Sequence, residues 1–384
     1  MLTTKKKVLA ASAAVLLAAI GTVNANAAAT QSATQIANQG LADLASGKVF
    51  STGPNGETAA SPSSLTFTSA ELAQVKSMKA TAAIAFHLTS DWTSGQQAGL
   101  TAEFKALGIS IVGVTQADFK ADEQVSQIQT LMAKKPNILV SIPVDSQAES
   151  AEYKAVAAAG TKIVFMDNTA NGMTAGKDYV SVVSADNYAN GAASAFLLGK
   201  YLKGKGTLAT IHHAADFWVT KQRWNGFKDT ITKYFPGIKI VTDQGIAGPD
   251  FASDAQAAAA AILTKYPTVD AIWGVWDTPA EGIMAALRAA GNTHTVIATE
   301  DLGANVAISL AKGGPVIGLG AQRPYDAGVA EAKLAAYALL GKAAPSYVAC
   351  PALAVDHNNV LQSWRTVYAA AAPATLRSSF VVRP

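Results

Sequence analysis

The sequence predicts an α/β protein with two Rossmann-like lobes, each a parallel sheet flanked by helices. Its 384 residues exceed the roughly 250–300 residues at which a single hydrophobic core stops growing, which favours two lobes. From Ala80 onward, short strand-like runs alternate with segments of helical periodicity, the order typical of a parallel sheet covered on both faces. Several of these runs end in a carboxylate or an amide, and ligands bind at the carboxyl ends of such strands.

Residues 1–27 are predicted to be a signal peptide. Lys5, Lys6 and Lys7 form a positive n-region, Val8–Ile20 is an apolar run, and Ala25-Asn26-Ala27 matches a small-x-small cleavage site. The apolar run is shorter than the about 20 residues that span a bilayer, which argues against a membrane anchor. We therefore expect export to the periplasm.

Charge and cysteine content exclude several function classes. The chain has 30 Lys and Arg residues against 27 Asp and Glu residues, and loss of the three signal-peptide lysines leaves the two counts equal. A neutral mature chain without a lysine-rich run gives no support for a nucleic-acid partner. Cys350 is the only cysteine, so neither a disulfide framework nor an N-terminal lipid-bearing cysteine is expected.

Residues 28–78 are predicted to be an N-terminal extension. The part from Ala28 to about Ser64 is rich in small and polar residues, contains the turn-like Gly53-Pro54-Asn55-Gly56, and indicates an extension or linker. Thr68-Ser69-Ala70-Glu71 matches a capping box, which predicts a short helix immediately afterwards.

The strand-like runs fall into two sets of five. They are Ala82–Phe86, Ser110–Val114, Ile138–Ile142, Lys162–Met166 and Val180–Val183, followed by Thr207–Ile211, Lys239–Thr242, Ala271–Val275, Val296–Thr299 and Val316–Leu319. Between them, Leu100, Phe104 and Leu107 follow the i, i+4, i+7 spacing of an amphipathic helix.

The last part of the chain is expected to return to the first lobe. A predicted helix from Tyr325 to Leu340 and a strand-like segment Tyr347–Val355 follow the second set of strands but suit the first lobe. We assign residues 79–184 and 324–353 to the N-terminal lobe, and residues 185–323 and 354–384 to the C-terminal lobe and tail. More than one passage between lobes predicts a multi-strand hinge.

Nine short motifs, in order, resemble the ribose/galactose-type periplasmic substrate-binding proteins, the type I binding proteins of ABC sugar importers. The motifs are Ile84–Trp92, Ser141–Ser146, Met166–Asn168, Val183–Asn187, Lys221–Phe227, Pro249–Phe251, Trp276-Asp277, Glu300-Asp301 and Gln322–Pro324. The resemblance runs from about Ala80 to Lys342 and implies the type I periplasmic binding protein fold.

The resemblance also implies a set of ligand-binding residues. In that family, the positions of Trp92 and Phe251 hold rings that sandwich a sugar, and those of Asp167, Arg223, Asp277, Asp301 and Gln322 bind its hydroxyls. The complete set of candidate residues is Ser90, Asp91, Trp92, Asp167, Asn168, Arg223, Phe251, Trp276, Asp277, Asp301 and Gln322.

Three departures from the ribose binders change the expected ligand. Trp276 stands where they carry an amide, Asn168 where they carry an arginine, and Thr89-Ser90 where they carry asparagines. These changes favour a smaller sugar, a deoxy sugar or an acyclic polyol over ribose.

Other interpretations of the same residues remain open from sequence. Aspartates after strands are common helix N-caps, so Asp167, Asp277 and Asp301 could cap helices instead of binding ligand. Glu300-Asp301 resembles an acid/base pair, but neighbours on a strand face opposite ways. The same alternation separates His212 from His213, and no third metal ligand follows at a recognisable spacing.

The resemblance therefore implies a solute-binding protein that delivers a sugar or polyol to an ABC permease of the inner membrane. No cofactor, metal or enzymatic activity is expected, because no catalytic or metal-binding motif is present. We expect a monomer. A periplasmic sugar sensor or chemoreceptor ligand-binding protein of the same fold is the alternative, whereas a repressor would need a basic N-terminal helix-turn-helix.

Overall fold

The structure is a computed structural model and describes residues 31–382. The predicted signal peptide lies outside these residues. Among residues 31–382, no helix has both the length and the apolar character needed to cross a bilayer.

Two six-stranded sheets form the two lobes. The strands are β1 (Thr81–Phe86), β2 (Ser110–Gln116), β3 (Ile138–Ser141), β4 (Lys162–Met166), β5 (Ser181–Ala185), β6 (Lys205–His213), β7 (Gly237–Ile246), β8 (Ala271–Gly274), β9 (Val296–Glu300), β10 (Val316–Ala321), β11 (Tyr347–Cys350) and β12 (Leu353–Val355). The first sheet has the order β11-β5-β4-β3-β1-β2 and is parallel throughout. The second has the order β12-β10-β9-β8-β6-β7, in which only β12 runs antiparallel. The predicted α/β class is confirmed.

Helices cover both faces of each sheet. They are α1 (Ala33–Ala45), α2 (Ser69–Met78), α3 (Asp91–Leu107), α4 (Ala121–Met132), α5 (Ser150–Ala158), α6 (Asn187–Tyr201), α7 (Trp218–Tyr234), α8 (Phe251–Lys265), α9 (Asp277–Ala289), α10 (Ala304–Lys312), α11 (Pro324–Leu339), α12 (Val360–Tyr368) and α13 (Ala374–Ser379). Because side chains alternate along a strand, Ile84 packs in the core shared with α3 and α11, whereas Ala83 and Ala85 pack in the core shared with α4 and α5. Both faces are therefore buried, as in other parallel sheets.

The chain passes between the lobes three times, which forms the predicted multi-strand hinge. The crossings follow Ala185 at the end of β5, Gln322 after β10, and Cys350 at the end of β11. The second crossing brings α11 back onto α3 of the first lobe. The prediction that Tyr347–Val355 belongs as a whole to the first lobe is wrong, because the chain passes through Pro351 and places β12 on the second sheet.

The N-terminal extension is folded onto the lobes, so its interpretation as a linker is wrong. Helix α1 begins with a capping box formed by Ser32 and Gln35, and buries Ala37 and Leu44 in the core it shares with α6. Gly40 allows the close approach, because a Cβ there would lie 2.3 Å from the Phe196 ring. The apolar face of α1 combines Ile36, Leu41 and Leu44 with Ala33 and Ala37, but the surrounding small and polar residues made it difficult to recognise in the sequence.

Beyond α1 the extension touches the hinge and then the first lobe. The amides of Phe50 and Ser51 donate to the Asp186 carboxylate at 2.6 and 2.9 Å, and Asp186 also caps α6. Ala60 then pairs with Val348 at the edge of the first sheet. The capping box predicted at Thr68 is confirmed, since Thr68 and Glu71 bond reciprocally at the start of α2.

Asp186→Ala should lower the free energy of unfolding by about 2–4 kcal/mol, because it removes a helix cap and leaves buried amides of the extension without an acceptor. Urea denaturation of the ligand-free protein measures this change. Asp250→Ala is the matched control, since Asp250 is also an N-cap but accepts only from Ser253. Equal losses for the two variants would show that Asp186 does not anchor the extension.

Candidate functional site

A cleft between the two lobes holds about 600 Å³ of space that no protein atom fills, part of it open to solvent. The first lobe contributes His87, Leu88, Ser90, Trp92, Phe119, Ile142 and Asp167; the second contributes His213, Phe217, Val219, Thr220, Arg223, Trp276, Asp277, Thr278, Asp301 and Gln322. Most of these residues follow the carboxyl ends of parallel strands or begin the helices after them, the position at which open α/β sheets bind ligands.

Arg223 organises the second-lobe side of the cleft. Its side chain is only 3% exposed, and its Nη1 and Nη2 donate to the Asp301 carboxylate at 2.8 and 3.3 Å. Its Nε donates to Asn187 Oδ1 at 3.1 Å, and Nη1 also reaches the carbonyl of Val275 at 3.3 Å. The guanidinium thereby connects the strand ends of β8 and β9 to the start of α6, and the charge-assisted bonds make this arrangement rigid.

A chain of hydrogen bonds continues from Arg223 into the first lobe. Asn187 Nδ2 donates to Ser184 Oγ at 2.9 Å, and Ser184 Oγ donates to Asp167 Oδ1 at 2.6 Å. Burial raises the pKa of Asp167 to about 6, although the bond from Ser184 and the charge of Arg223 oppose the shift. Asp167 and Asp301, at the two ends of the chain, have left-handed backbones with φ of 54° and 62°. Such strain in non-glycine residues is concentrated at functional sites.

Asp277 is a buried carboxylate without a basic partner among the described residues. It occupies the first turn of α9, where Oδ1 accepts from the Thr278 amide at 2.8 Å. Its Oδ2 accepts no hydrogen bond within residues 31–382 and lies against Gly303, where a Cβ would come within 2.3 Å. Burial raises the pKa of Asp277 to about 8, and the negative charge of Asp301 raises it further.

Aromatic rings from both lobes complete the cleft lining. Trp92 comes from the first lobe, and its Nε1 donates to Gln322 Oε1 at 2.8 Å. Phe119 also comes from the first lobe, and Phe217 and Trp276 belong to the second. These rings supply apolar surfaces on both sides of a polar floor.

Eight of the eleven predicted site residues line the cleft together: Ser90, Trp92, Asp167, Arg223, Trp276, Asp277, Asp301 and Gln322. The structure does not place Asp91, Asn168 and Phe251 in the lining. Asp91 is exposed, and its Oδ2 accepts from the Ala304 amide of α10 at 2.7 Å. Asn168 is buried, with 3% exposure, but is not among the lining residues.

Phe251 packs against lining residues of both lobes. It is 4% exposed and packs edge-on against Trp276, with ring centroids 4.8 Å apart, and against His213 at 5.2 Å. The predicted pair of plates, Trp92 and Phe251, is corrected accordingly: Phe251 is not among the lining residues, whereas Trp276, which packs against it, is. Trp276, which stands where the ribose binders carry an amide, therefore supplies a second-lobe ring at the cleft surface.

The observed N-caps contradict the alternative interpretation of Asp277 and Asp301 as helix caps. The N-cap of α9 is Trp276 and that of α10 is Gly303, so neither Asp277 nor Asp301 is a helix cap. Glu300 points away from Asp301 as predicted, since it is fully buried and accepts from Ser194 Oγ at 2.7 Å. An acid/base pair is therefore not assembled in the cleft.

Nine lining residues lie outside the predicted set: His87, Leu88, Phe119, Ile142, His213, Phe217, Val219, Thr220 and Thr278. His87 directly follows β1, so its position after a strand was the available signal. Phe119 lies in a turn in which Asp118 and Phe119 both have left-handed backbones, a conformation that is common for aspartate but rare for an aromatic residue. Burial lowers the pKa of His87 to about 3, and burial and His212 lower that of His213 to about 4, so both rings are neutral at pH 7.

Asp277→Asn should raise the melting temperature of the ligand-free protein at pH 8.5 by several degrees, since about 1 kcal/mol corresponds to about 2–4 °C in a domain of this size. In the folded state the pKa of Asp277 is raised to about 8. The ionisation of Asp277 therefore lowers the stability of the wild-type protein as pH rises from about 4 to 8. The amide of the variant does not ionise, so the variant keeps this stability. The gain should be much smaller at pH 5.

Thermal denaturation at both pH values checks this, with Asp216→Asn as the control. Asp216 is 82% exposed and pairs only with Lys221 at the surface, so its neutralisation should change little at either pH. An Asp277→Asn variant that melts at or below the wild-type temperature at pH 8.5 would contradict the burial of an uncompensated charge.

The chain is similar in sequence to curated proteins that are named for the sugars they bind. The D-ribose/D-allose-binding protein of Pseudomonas aeruginosa is 29% identical over 175 residues, which cover 45% of this chain and 54% of that protein. The D-allose-binding periplasmic protein of Escherichia coli is 27% identical over 248 residues, 62% of this chain and 76% of that protein. The chain thus spans about half the length of the first relative.

Solved structures agree over a larger part of the chain. An ABC transporter solute-binding protein from Agrobacterium vitis, bound with alpha-D-tagatopyranose, superposes with a TM-score of 0.69 at 24% identity, covering 76% of this chain and 100% of that chain. A second Agrobacterium vitis solute-binding protein, with bound allitol, has a TM-score of 0.64 at 26% identity and covers 74% and 98%. The sequence model described as "Periplasmic binding protein domain" matches residues 82–343. The chain belongs to this periplasmic binding protein family.

Proposed function

We propose that this protein is an exported solute-binding protein that captures a monosaccharide or polyol in the interlobe cleft and delivers it to an ABC permease. The observation that carries the proposal is the cleft itself, in which aromatic rings and buried charged groups from both lobes converge. The relatives named for ribose and allose, and the Agrobacterium vitis structures bound with tagatopyranose and allitol, support this ligand class.

The chemistry of the cleft suits a polyhydroxylated guest. A sugar has apolar C–H faces that pack on aromatic rings and a polar edge that needs hydrogen-bond partners. Asp167, Arg223, Asp301 and Gln322 provide such partners, and hydrogen bonds to charged groups contribute about 1.5–3 kcal/mol each. A few of these bonds account for micromolar binding, which requires about −8 kcal/mol.

The lobes touch across the cleft, as expected for a protein that closes on its ligand. Phe119 of the first lobe packs on Phe251 of the second, with ring centroids 5.2 Å apart, and Asp91 accepts from the Ala304 amide. A guest that contacts both lobes stabilises this closed arrangement by its differential affinity for it. A permease that recognises the closed form would then receive only loaded protein.

Transport is favoured over sensing and over catalysis. The relatives carry names of binding and import proteins, and the two similar Agrobacterium vitis structures are ABC transporter components. The signal peptide predicted for residues 1–27 would direct the chain to the periplasm, the compartment in the name of the Escherichia coli relative.

Isothermal titration calorimetry against pentoses, hexoses and their polyols should show saturable binding of at least one compound. Trp92→Ala should weaken that binding about ten- to hundredfold, because Trp92 provides a ring surface and positions Gln322 through its Nε1. Trp224→Phe is the matched control, since Trp224 stacks on His212 outside the cleft. The proposal fails if no compound in the panel binds the wild-type protein.

A further inference from the structure

The cleft has an unusual balance of charge. Three carboxylates line it, Asp167, Asp277 and Asp301, each at least nine-tenths buried, whereas the only permanent cation in the lining is Arg223. Both hydrogen-bonding nitrogens at the end of the Arg223 side chain are directed at Asp301. With His87 and His213 neutral, ionisation of all three carboxylates would leave the lining with two more negative than positive charges.

Asp277 is the carboxylate that the protein leaves without a counter-charge. It forms no salt bridge within residues 31–382, and its Oδ2 has no hydrogen-bond donor there, although it lies beside the cleft. A buried carboxylate without a cation is costly, and hydroxyl groups of a neutral sugar satisfy its lone pairs but not its charge. The compensating cation can come from the guest.

The aromatic rings in the same cleft are the second observation that points to a cation. Trp276 directly precedes Asp277, and Phe217, Trp92 and Phe119 line the same cleft. Aromatic faces attract ammonium groups, and rings combined with an anion are a common recognition site for amines. Neutral hydroxyl groups gain nothing comparable from the ring faces.

We propose that the natural guest is a polyhydroxylated amine, an amino sugar or amino polyol, whose ammonium group pairs with Asp277 beside the ring of Trp276. This proposal rests on the proposed function of the cleft and specifies the ligand class. The hydroxyl groups of the guest remain partners for Asp167, Arg223 and Gln322. In the ligand-free protein, a proton neutralises Asp277 at pH 7. When the guest binds, its ammonium group takes the place of this proton.

Calorimetry with matched triplets tests this proposal. Each triplet contains a sugar, its amino-deoxy analogue and the N-acetyl derivative of that analogue, such as galactose, galactosamine and N-acetylgalactosamine; sorbitol and glucamine form a polyol pair. The amine should bind at least tenfold more tightly than its hydroxyl parent in at least one set. The N-acetyl derivative should lose this gain, because it keeps the nitrogen but not the charge.

Asp277→Asn should reduce the preference for the amine to about one, while Asp216→Asn should leave it unchanged. Saturable binding of neutral sugars at equal or higher affinity than all the amines would overturn the inference and leave the proposed function standing. Absence of binding by every compound would overturn both. A preference for the amine that survives Asp277→Asn would also contradict the assigned ion pair.

Discussion

The buried pair of Arg223 and Asp301 is the interaction on which the cleft depends. A guanidinium that is 3% exposed has to be compensated, and the structure compensates it with groups from α6, β8 and β9 together. Removal of either partner would leave a buried charge, which is far more destabilising than the loss of a surface pair. The pair therefore holds the second-lobe strand ends at fixed positions before any guest arrives.

The hinge extends this constraint to the first lobe. Asn187 and Ser184 lie on either side of the first crossing, and through them the hydrogen-bond chain from Arg223 ends on Asp167. The polar residues of both lobes are thus connected at the base of the cleft, while the rings of Phe119 and Phe251 meet across it. The extension adds contacts at the same base, because Asp186 accepts from Phe50 and Ser51.

Sequence patterns predicted the strands and most of the cleft because both depend on short-range rules. Apolar runs of strand length define a parallel sheet, and Asp167, Asp277 and Asp301 follow three of them, so their convergence at one edge was foreseeable. The depth of each ring was not foreseeable, since the exposure of Phe251 and Trp276 depends on how the starts of α8 and α9 pack against each other. The docking of α1 was also missed, because its few apolar residues, Ile36, Leu41 and Leu44, stand in a segment of mostly small and polar composition.

The central claim is that one guest is held between the two lobes by the strand-end carboxylates and the rings. A crystal structure of the protein with the ligand that co-purifies with it tests this claim most directly. The account predicts density for the guest between Trp92 and Trp276, with its polar groups within hydrogen-bond distance of Asp167, Arg223 and Asp277. Density for the guest at any other surface, with the interlobe cleft occupied only by water, would contradict it.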